Sequence, residues 1–294
     1  MTILEAIERA KLLRKTQGAA STATQVERRP VAPRAASDDA ETLSFQPEGT
    51  HVEPMPASFA KLERVAFDAE ACERHHVLMV EDKAGATAQA DAAYRMLRSR
   101  VQHRIRAAGW TCIGMTSPGP GEGKTITTLN LAICIAREKQ RPVYLIDLDL
   151  RSPSVLEYCG IQPPQSLARF FTDHLPPEQV LFATNVENLM VAGAREPAAN
   201  PSELLATRRL EQLLLHIRGR SPDALILIDL PPVMSTDEAL VVAPRADAMF
   251  LIVSEGRTRR DALKRSLDQL GDFNVAGIIL NRSSEQVGGY YHAY

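Results

Sequence analysis

The chain carries a glycine-rich loop, Ser117-Pro118-Gly119-Pro120-Gly121-Glu122-Gly123-Lys124-Thr125, between two apolar runs. The run before it, 110–116, is typical of a strand, and the run after it, 126–137, is typical of a helix. Strand, glycine-rich loop and helix in this order form an architecture that binds nucleotide phosphates. A simple turn does not require Gly-Lys-Thr at its end. The sequence therefore predicts a phosphate-binding loop.

Particular loop residues are expected to contact the nucleotide. Glycines let several backbone N–H groups point at one anion, and the following helix adds its positive N-terminal end. Lys124 places a charge near the β- and γ-phosphates, and the hydroxyl of Thr125 suits Mg²⁺. The other predicted nucleotide-binding residues of the loop are Gly119, Gly121, Glu122, Gly123 and Ile126. The first glycine of the common pattern falls on Pro118, which has no N–H to donate.

Size and composition favour a globular α/β domain with an additional segment. The chain has 294 residues, 45% of them apolar, and its net charge of −2 argues against general nucleic-acid binding. No apolar run reaches the ~18 residues of a membrane span, and Met1 is not followed by a secretory signal. We therefore expect a cytosolic protein. Its cysteines lack C-x-x-C spacing and are expected to be buried thiols: Cys72, Cys112, Cys134 and Cys159.

The expected domain organisation has four parts. Residues 1–16 resemble an amphipathic helix opened by a capping box, with Thr2 as the N-cap and Glu5 reaching back; a frayed end is the alternative. Residues 17–57 are rich in Ala, Ser, Thr, Pro and charge, and are typical of a disordered linker. The ordered domain is expected over 58–286. A tyrosine-rich tail follows over 287–294.

Two further buried strands end in carboxylates. The segment 141–151 places Asp147, Asp149 and Arg151 after an apolar run, and the two acids face the same way if the strand stays extended. The segment 225–232 has the form of a Walker B strand, in which Asp229 would hold Mg²⁺. Ligands bind at the carboxyl ends of parallel strands. These acids are therefore expected beside the loop if the strands are near neighbours.

The remaining segments alternate between predicted strands and helices. Strands are expected over 77–80, 189–193, 247–253 and 275–280, and helices over 87–107, about 200–218, and 258–270. Asn200 is the expected N-cap of the second helix, with Pro201 at its first position. Asp237 follows the Walker B strand on a loop and could cap the next helix. This alternation predicts a doubly wound, mostly parallel sheet.

The C-terminal tail concentrates tyrosine. Three of the chain's six tyrosines, Tyr290, Tyr291 and Tyr294, lie in the last five residues behind Gly288-Gly289. They could serve as phosphoryl acceptors, dock on a neighbour, or pack on their own domain. The ~14 residues from Asn281 onward could span up to ~45 Å, enough to reach a phosphate site in the same chain or in a neighbour.

Taken together, these features resemble the bacterial tyrosine kinases of capsule and exopolysaccharide synthesis, in their cytoplasmic CpsD/CapB-like form. The resemblance covers roughly residues 89–294. It is carried by the loop, the Walker A′ segment 147–151, the Walker B segment 229–232, the stretch 200–205 and the terminal tyrosines. In such kinases the first loop position is often not glycine, which accounts for Pro118. The N-terminal helix and linker are similar to those of exosortase-associated autokinases.

The resemblance implies a P-loop NTPase fold of the MinD/ParA-like class and autophosphorylation with ATP and Mg²⁺. One subunit's tail would enter the next subunit's ATP site within a ring. It also implies two partners: a membrane chain-length regulator, which activates the kinase at the inner face of the cell membrane, and a tyrosine phosphatase. The residue roles are as follows: Lys124 for transition-state charge, Asp147 to orient or deprotonate the phenol, Asp149 in support, Arg151 as a phosphate contact, and Thr125, Asp147 and Asp229 around Mg²⁺.

Two details of the resemblance are left open by the sequence. Arg95 and Arg98 match the arginines of the family's ring-forming E-x-x-R-x-x-R helix, but its glutamate position is Ala92. Asp91 is one residue off, about 100° around the helix. Asn281 and the arginine after it resemble an Asn-basic pair that reads adenine in related ATPases; an ordinary loop at a strand end is the alternative.

Two rival functions remain at this point. A MinD/ParA-like ATPase switch would hydrolyse ATP and carry an inert tail, but such ATPases have a signature lysine at the place of Gly119. A non-enzymatic nucleotide-sensing scaffold is the other rival. The intact set of Asp147, Asp149 and Asp229 argues against a scaffold.

Overall fold

The computed structural model describes residues 62–78 and 86–284. The predicted N-terminal helix, the predicted linker and the tail tyrosines lie outside these residues. The expected domain boundaries therefore stay predictions.

Seven strands form one sheet across the described part of the chain. Their order is β3-β4-β2-β5-β1-β6-β7, with β3 antiparallel to β4 and every other neighbouring pair parallel. The predicted mostly parallel sheet is confirmed. The strands are β1 (Cys112–Thr116), β2 (Val143–Asp147), β3 (Phe182–Ala183), β4 (Leu189–Ala192), β5 (Leu225–Asp229), β6 (Ala248–Ser254) and β7 (Val275–Asn281).

Helices cover both faces of the sheet because side chains alternate along each strand. One apolar cluster joins alternate strand residues to helices α2 and α3, and the other joins the intervening residues to α7 and α8. The α-helices of the described residues are α1 (Ala69–Arg74), α2 (Ala86–Ala108), α3 (Lys124–Ala136), α4 (Val155–Tyr158), α5 (Leu167–Thr172), α6 (Pro201–Ala206), α7 (Arg208–Arg220), α8 (Glu238–Val242) and α9 (Arg260–Gln269).

The prediction of one helix over about 200–218 is wrong, because the chain forms two helices there. Thr207 separates α6 from α7 with extended backbone angles, φ −69° and ψ 162°. Its hydroxyl accepts a hydrogen bond from the amide of Arg209, as an N-cap does. A threonine able to cap a new helix therefore outweighs the continuous apolar pattern.

The strand predicted over 77–80 is also wrong for the part that the structure describes. Val77 and Leu78 belong to no strand. Asn130 of α3 holds this segment instead, because its Oδ1 accepts from the amide of Leu78 at 2.9 Å and its Nδ2 donates to the carbonyl of His76 at 3.1 Å. A side-chain amide satisfies the backbone groups that a strand neighbour would otherwise bind.

The prediction of buried cysteine thiols is confirmed. The four cysteines are buried and unpaired with one another, as their spacing predicts. Among the described helices, none is both long enough and apolar enough to cross a membrane.

Candidate functional site

The carboxyl ends of three neighbouring strands bring the loop and the acids together. Strand β5 lies between β1 and β2; Asp229 pairs in register with Asp147 on one side and with Met115 on the other. The loop begins directly after β1. The acids and the loop therefore lie at the same rim of the sheet, where ligands bind in open parallel sheets.

The loop has a backbone that favours glycine. Gly121 and Gly123 have φ angles of +74° and +84°, a region that other residues rarely adopt. Helix α3 begins at Lys124, and the first amides of a helix have no partner within the helix. The N–H groups of residues 124–126 are thus able to bind an anion, which fits a nucleotide phosphate.

Lys124 is the centre of a buried polar cluster. Its Nζ lies 2.8 Å from Oδ2 of Asp149 and 3.2 Å from Oδ2 of Asp229. The hydroxyl of Thr125 donates to Oδ2 of Asp229 at 2.7 Å. The hydroxyl oxygen of Thr128, one turn further along α3, lies 2.7 Å from the carbonyl oxygen of Lys124 and 3.3 Å from Oδ1 of Asp229. Sequence reasoning missed Thr128, although its position one turn after Lys124 was a usable signal.

Asp147 is positioned by backbone amides. Strand β2 ends at Asp147 and the chain turns over residues 149–152, so the two acids do not share an extended strand. Oδ1 of Asp147 accepts from the amide of Asp149 at 3.1 Å, and Oδ2 accepts from the amides of Ser154 and Val155 at 3.0 Å each. The carboxylate is fully buried and has a fixed orientation beside the cluster.

The cluster holds more negative than positive charge. Burial, followed by the charge of Asp229, raises the pKa of Asp147 to about 7. Burial also raises the pKa of Asp229, against the effect of Lys124. Burial alone would lower the pKa of Lys124, but Asp229 and Asp149 raise it overall. One lysine does not neutralise three acids, and a divalent cation would offset the remaining repulsion.

This donor set fits Mg²⁺ held together with phosphate rather than Mg²⁺ held by protein alone. Among the described residues, no group of three or more His, Cys, Asp or Glu side chains is arranged to hold a metal ion. Mg²⁺ in nucleotide sites is usually bound by one or two carboxylates plus phosphate oxygens and water. Thr125 and Asp229, in mutual contact beside the loop, suit that role.

The other side of the loop contains a second set of predicted cofactor-binding residues. Oε2 of Glu122 accepts from the amide of Ser254 at 2.9 Å and from the hydroxyl of Thr258 at 2.6 Å. Asn281, at the end of β7, donates through Nδ2 to the carbonyl of Glu122 at 2.9 Å. A Cβ on Gly123 would lie 2.1 Å from that Nδ2. These side chains fix the loop to β6 and β7.

Arg151 contacts an acid that sequence reasoning did not connect with the site. Its guanidinium donates to Oε1 of Glu238, from Nε at 3.2 Å and from Nη2 at 2.9 Å. Glu238 opens helix α8, far from Arg151 along the chain. No motif links the two positions, so the sequence alone offered no signal.

The two arginines of the predicted ring-forming helix lie on α2, and each forms an ion pair. Arg95 pairs with Asp91 one turn away, and Nε of Arg98 lies 2.9 Å from Glu138. Asp91 thus contacts the first arginine from the position one residue off the family's pattern. Ring formation itself stays a prediction.

A parallel sheet that gathers a glycine-rich loop, a lysine and three acids at one rim defines a P-loop nucleotide-binding protein. Residues 113–291 match the model of the CobQ/CobB/MinD/ParA nucleotide binding domain, and the chain belongs to this family. The predicted MinD/ParA-like fold class is confirmed.

The relatives within this family include tyrosine kinases. The tyrosine-protein kinase YwqD of Bacillus subtilis is 27% identical over 224 residues, which cover 74% of this chain and 92% of YwqD. EpsB of Ralstonia solanacearum is 31% identical over 191 residues, 64% of this chain and 25% of EpsB. The chain therefore spans nearly all of the first relative and about a quarter of the second.

A solved structure shows the same likeness. The BceF tyrosine kinase domain superposes with a TM-score of 0.58 at 30% identity, covering 65% of this chain and 76% of that domain. The predicted resemblance to bacterial tyrosine kinases is confirmed by these relatives. They favour the kinase interpretation over the ATPase switch.

Proposed function

We propose that this protein is an ATP-dependent tyrosine kinase that phosphorylates tyrosines of its own C-terminal tail and thereby regulates exopolysaccharide or capsule synthesis. The observation that carries the proposal is the buried contact of Lys124 with Asp149 and Asp229 at the rim beside the loop. Relatives named as tyrosine-protein kinases support it.

The chemistry asks for positioning and charge rather than for a strong nucleophile. A tyrosine hydroxyl has a pKa near 10 and is a poor nucleophile at neutral pH. Phosphoryl transfer through a loose transition state depends mainly on alignment and charge neutralisation. Lys124 and the amides of residues 121–125 would bind the phosphoryl oxygens. Thr125 and Asp229 would hold Mg²⁺, which supplies further positive charge when bound.

The buried aspartates take two supporting roles in this proposal. Asp147 orients or deprotonates the incoming phenol, and a pKa raised to about 7 suits a group that accepts a proton near neutral pH. Asp149 holds the ammonium of Lys124 in place through a 2.8 Å contact.

Partners and location follow from the same proposal. Tyr290, Tyr291 and Tyr294 are the acceptors, and the tail of one copy enters the site of the next within a ring. A membrane chain-length regulator recruits the cytoplasmic kinase to the inner face of the membrane and activates it, and a tyrosine phosphatase removes the phosphate. Asn281 and the loop glycines contact the nucleotide.

Phosphate mapping tests the proposal. The purified protein is incubated with labelled ATP and Mg²⁺ beside two variants, and phosphorylated residues are identified by mass spectrometry. Phosphate is expected on the tail tyrosines of the wild type and is lost in Lys124→Met. Lys139→Met serves as the matched control, because Lys139 forms an exposed ion pair with Glu187 away from the site.

Two other outcomes would contradict the proposal. Free phosphate with an unmodified tail identifies the ATPase switch. If the wild type yields no free phosphate and no modified tyrosine, the protein is identified as the nucleotide-sensing scaffold.

A further inference from the structure

Glu238 is a buried acid with an incomplete set of partners. Its side chain is 1% exposed, and both hydrogen bonds from Arg151 go to the same oxygen, Oε1. Oε2 has no hydrogen-bond partner among the described residues. Arg151 itself is 56% exposed.

This arrangement contributes little to stability. Burying a carboxylate costs free energy that is recovered only when its oxygens are well paired. A half-exposed arginine offsets that cost weakly, because water screens its charge. A role in folding alone therefore does not account for an acid at this position.

The arginine is held close to the Lys124 cluster. The amide of Ser152 donates to the carbonyl of Asp149 at 3.1 Å and to its Oδ1 at 3.1 Å, which closes the turn that carries Arg151. The other oxygen of Asp149 contacts Lys124 at 2.8 Å. Arg151 therefore lies two residues after Asp149 in the same turn, and Asp149 contacts Lys124.

The acid is fixed from its own side as well. Asp237, directly before it, accepts from the hydroxyl of Ser202 at 2.7 Å, which joins the start of α8 to the start of α6. The loop between β5 and α8 is bound to the phosphate-binding loop, because the amide of Val233 donates to the carbonyl of Ser117 at 2.9 Å. Both members of the pair therefore have fixed places relative to Lys124.

We propose that Glu238 is a positioning residue, which aims the guanidinium of Arg151 at the phosphoryl group as it passes to the acceptor tyrosine. This inference rests on the proposed kinase function. The bonds to Glu238 use Nε and Nη2, and Nη1 carries two further N–H donors suited to phosphoryl oxygens. In the transfer, the bond from the γ-phosphorus to the ADP oxygen breaks and the bond to the phenol oxygen forms. The phenol proton goes to the carboxylate base, and Arg151 gives up no proton.

Transfer between two copies tests the inference. The acceptor is a Lys124→Met copy, which has an intact tail, and the donors are the wild type, Glu238→Gln, Arg151→Ala and the double variant. We expect Glu238→Gln to lower kcat about tenfold with little change in the KM for the acceptor, because the isosteric amide loses the charge that holds the guanidinium. Arg151→Ala lowers kcat at least as much, and the double variant is no slower than Arg151→Ala.

A matched control and a measurement without nucleotide complete the design. Glu211→Gln makes the same change at a more exposed glutamate, which pairs with Arg245. This control should leave the rate unchanged. Side-chain ¹⁵N spectra of the nucleotide-free protein report the arginine Nε–H groups; the signal that disappears in Arg151→Ala shifts in Glu238→Gln. Thermal melting confirms that each variant is folded.

The outcomes separate the inference from the proposed function. A wild-type donor that transfers no phosphate to the acceptor overturns the kinase proposal itself. An active wild type whose rate is matched by Glu238→Gln and Arg151→Ala overturns the inference alone. The inference is also overturned if Glu238→Gln lowers kcat by the same factor in the wild type and in the Arg151→Ala variant. Glu238 would then act independently of Arg151.

Discussion

Buried acids lie on both sides of the phosphate-binding loop, and their surroundings differ. On the side of β6 and β7, Glu122 accepts two hydrogen bonds from neutral donors and binds the loop to the sheet. On the side of β2 and β5, Asp149 and Asp229 contact the same lysine with Asp147 beside them, and burial raises the pKa of Asp147 and of Asp229. The first arrangement stabilises the fold. The second keeps excess charge that a bound cation would neutralise.

The contrast indicates that the cluster of three aspartates is retained for function at a cost in stability. Both donors to Glu122 are neutral groups, so its carboxylate is stabilised locally without sharing a cation with other acids. Several carboxylates around one cation repel each other, and such a site is retained where activity requires it. Removing an acid on the β2 and β5 side should therefore mainly affect the phosphorylation rate, whereas removing Glu122 on the β6 and β7 side should mainly affect stability.

The largest effect is expected from removing an acid on the β2 and β5 side. Asp149→Asn should lower the autophosphorylation rate about 100-fold, because Lys124 loses a charged partner that holds its ammonium near the phosphates. The free energy of unfolding of the nucleotide-free protein should change little, because the lost contact with Lys124 is offset by the removal of one of three like charges. Phosphotyrosine rates and denaturant unfolding measure the two quantities.

The control for this variant is Asp261→Asn, which removes an exposed acid of helix α9 that pairs with Arg259 and Arg265. It should leave both quantities unchanged. A clear loss of stability in Asp149→Asn without a loss of rate would reverse the contrast between the two sides.

A smaller effect, on stability, is expected from the β6 and β7 side. Glu122→Ala removes the acceptor of the Ser254 amide and the Thr258 hydroxyl, and should lower the free energy of unfolding by about 2 kcal/mol. The rate well below the melting temperature should change little, because the amide of residue 122 remains in the loop. Thermal melting and phosphotyrosine rates are measured on one preparation. Unchanged stability would show that the network around Glu122 is not structural.

The sequence predicted which residues gather at the carboxyl-end edge of the sheet, but not which of their side chains contact each other. Glycine spacing and apolar runs that end in Asp147 and Asp229 sufficed for the fold and for the grouping of the acids, because parallel strands bring their carboxyl ends to one edge. Which acid would touch Lys124 depended on where β2 ends. The chain turns after Asp147, so Asp149 makes that contact.

Contacts between distant segments were beyond the reach of sequence patterns. Arg151 and Glu238 meet because two loops follow neighbouring strands, and no spacing rule relates them. The same holds for Glu122, whose carboxylate contacts Ser254 and Thr258 rather than extending away from the loop. Local patterns report on one segment at a time, whereas these side chains are oriented by tertiary packing.

The pH dependence of Mg²⁺ binding tests the central claim of the account. The claim is that the excess negative charge of the buried acids favours binding of a divalent cation together with the nucleotide. Asp147 has an ordinary pKa of 3.8 and a pKa of about 7 in the folded protein. Between these values the native state holds a proton that the unfolded state lacks, so the nucleotide-free protein loses stability as pH rises through this window. Ionisation of Asp147 adds negative charge beside Asp229, the proposed Mg²⁺ ligand, so Mg²⁺ binding should strengthen over the same range.

The measurement is the melting temperature with a non-hydrolysable ATP analogue, with and without Mg²⁺, between about pH 6 and about pH 8. Proton and metal binding by the analogue alone are measured and subtracted. The account predicts a Mg²⁺-dependent rise in melting temperature that is larger at the higher pH. No rise with Mg²⁺ at the higher pH, or an equal rise at both, would contradict it.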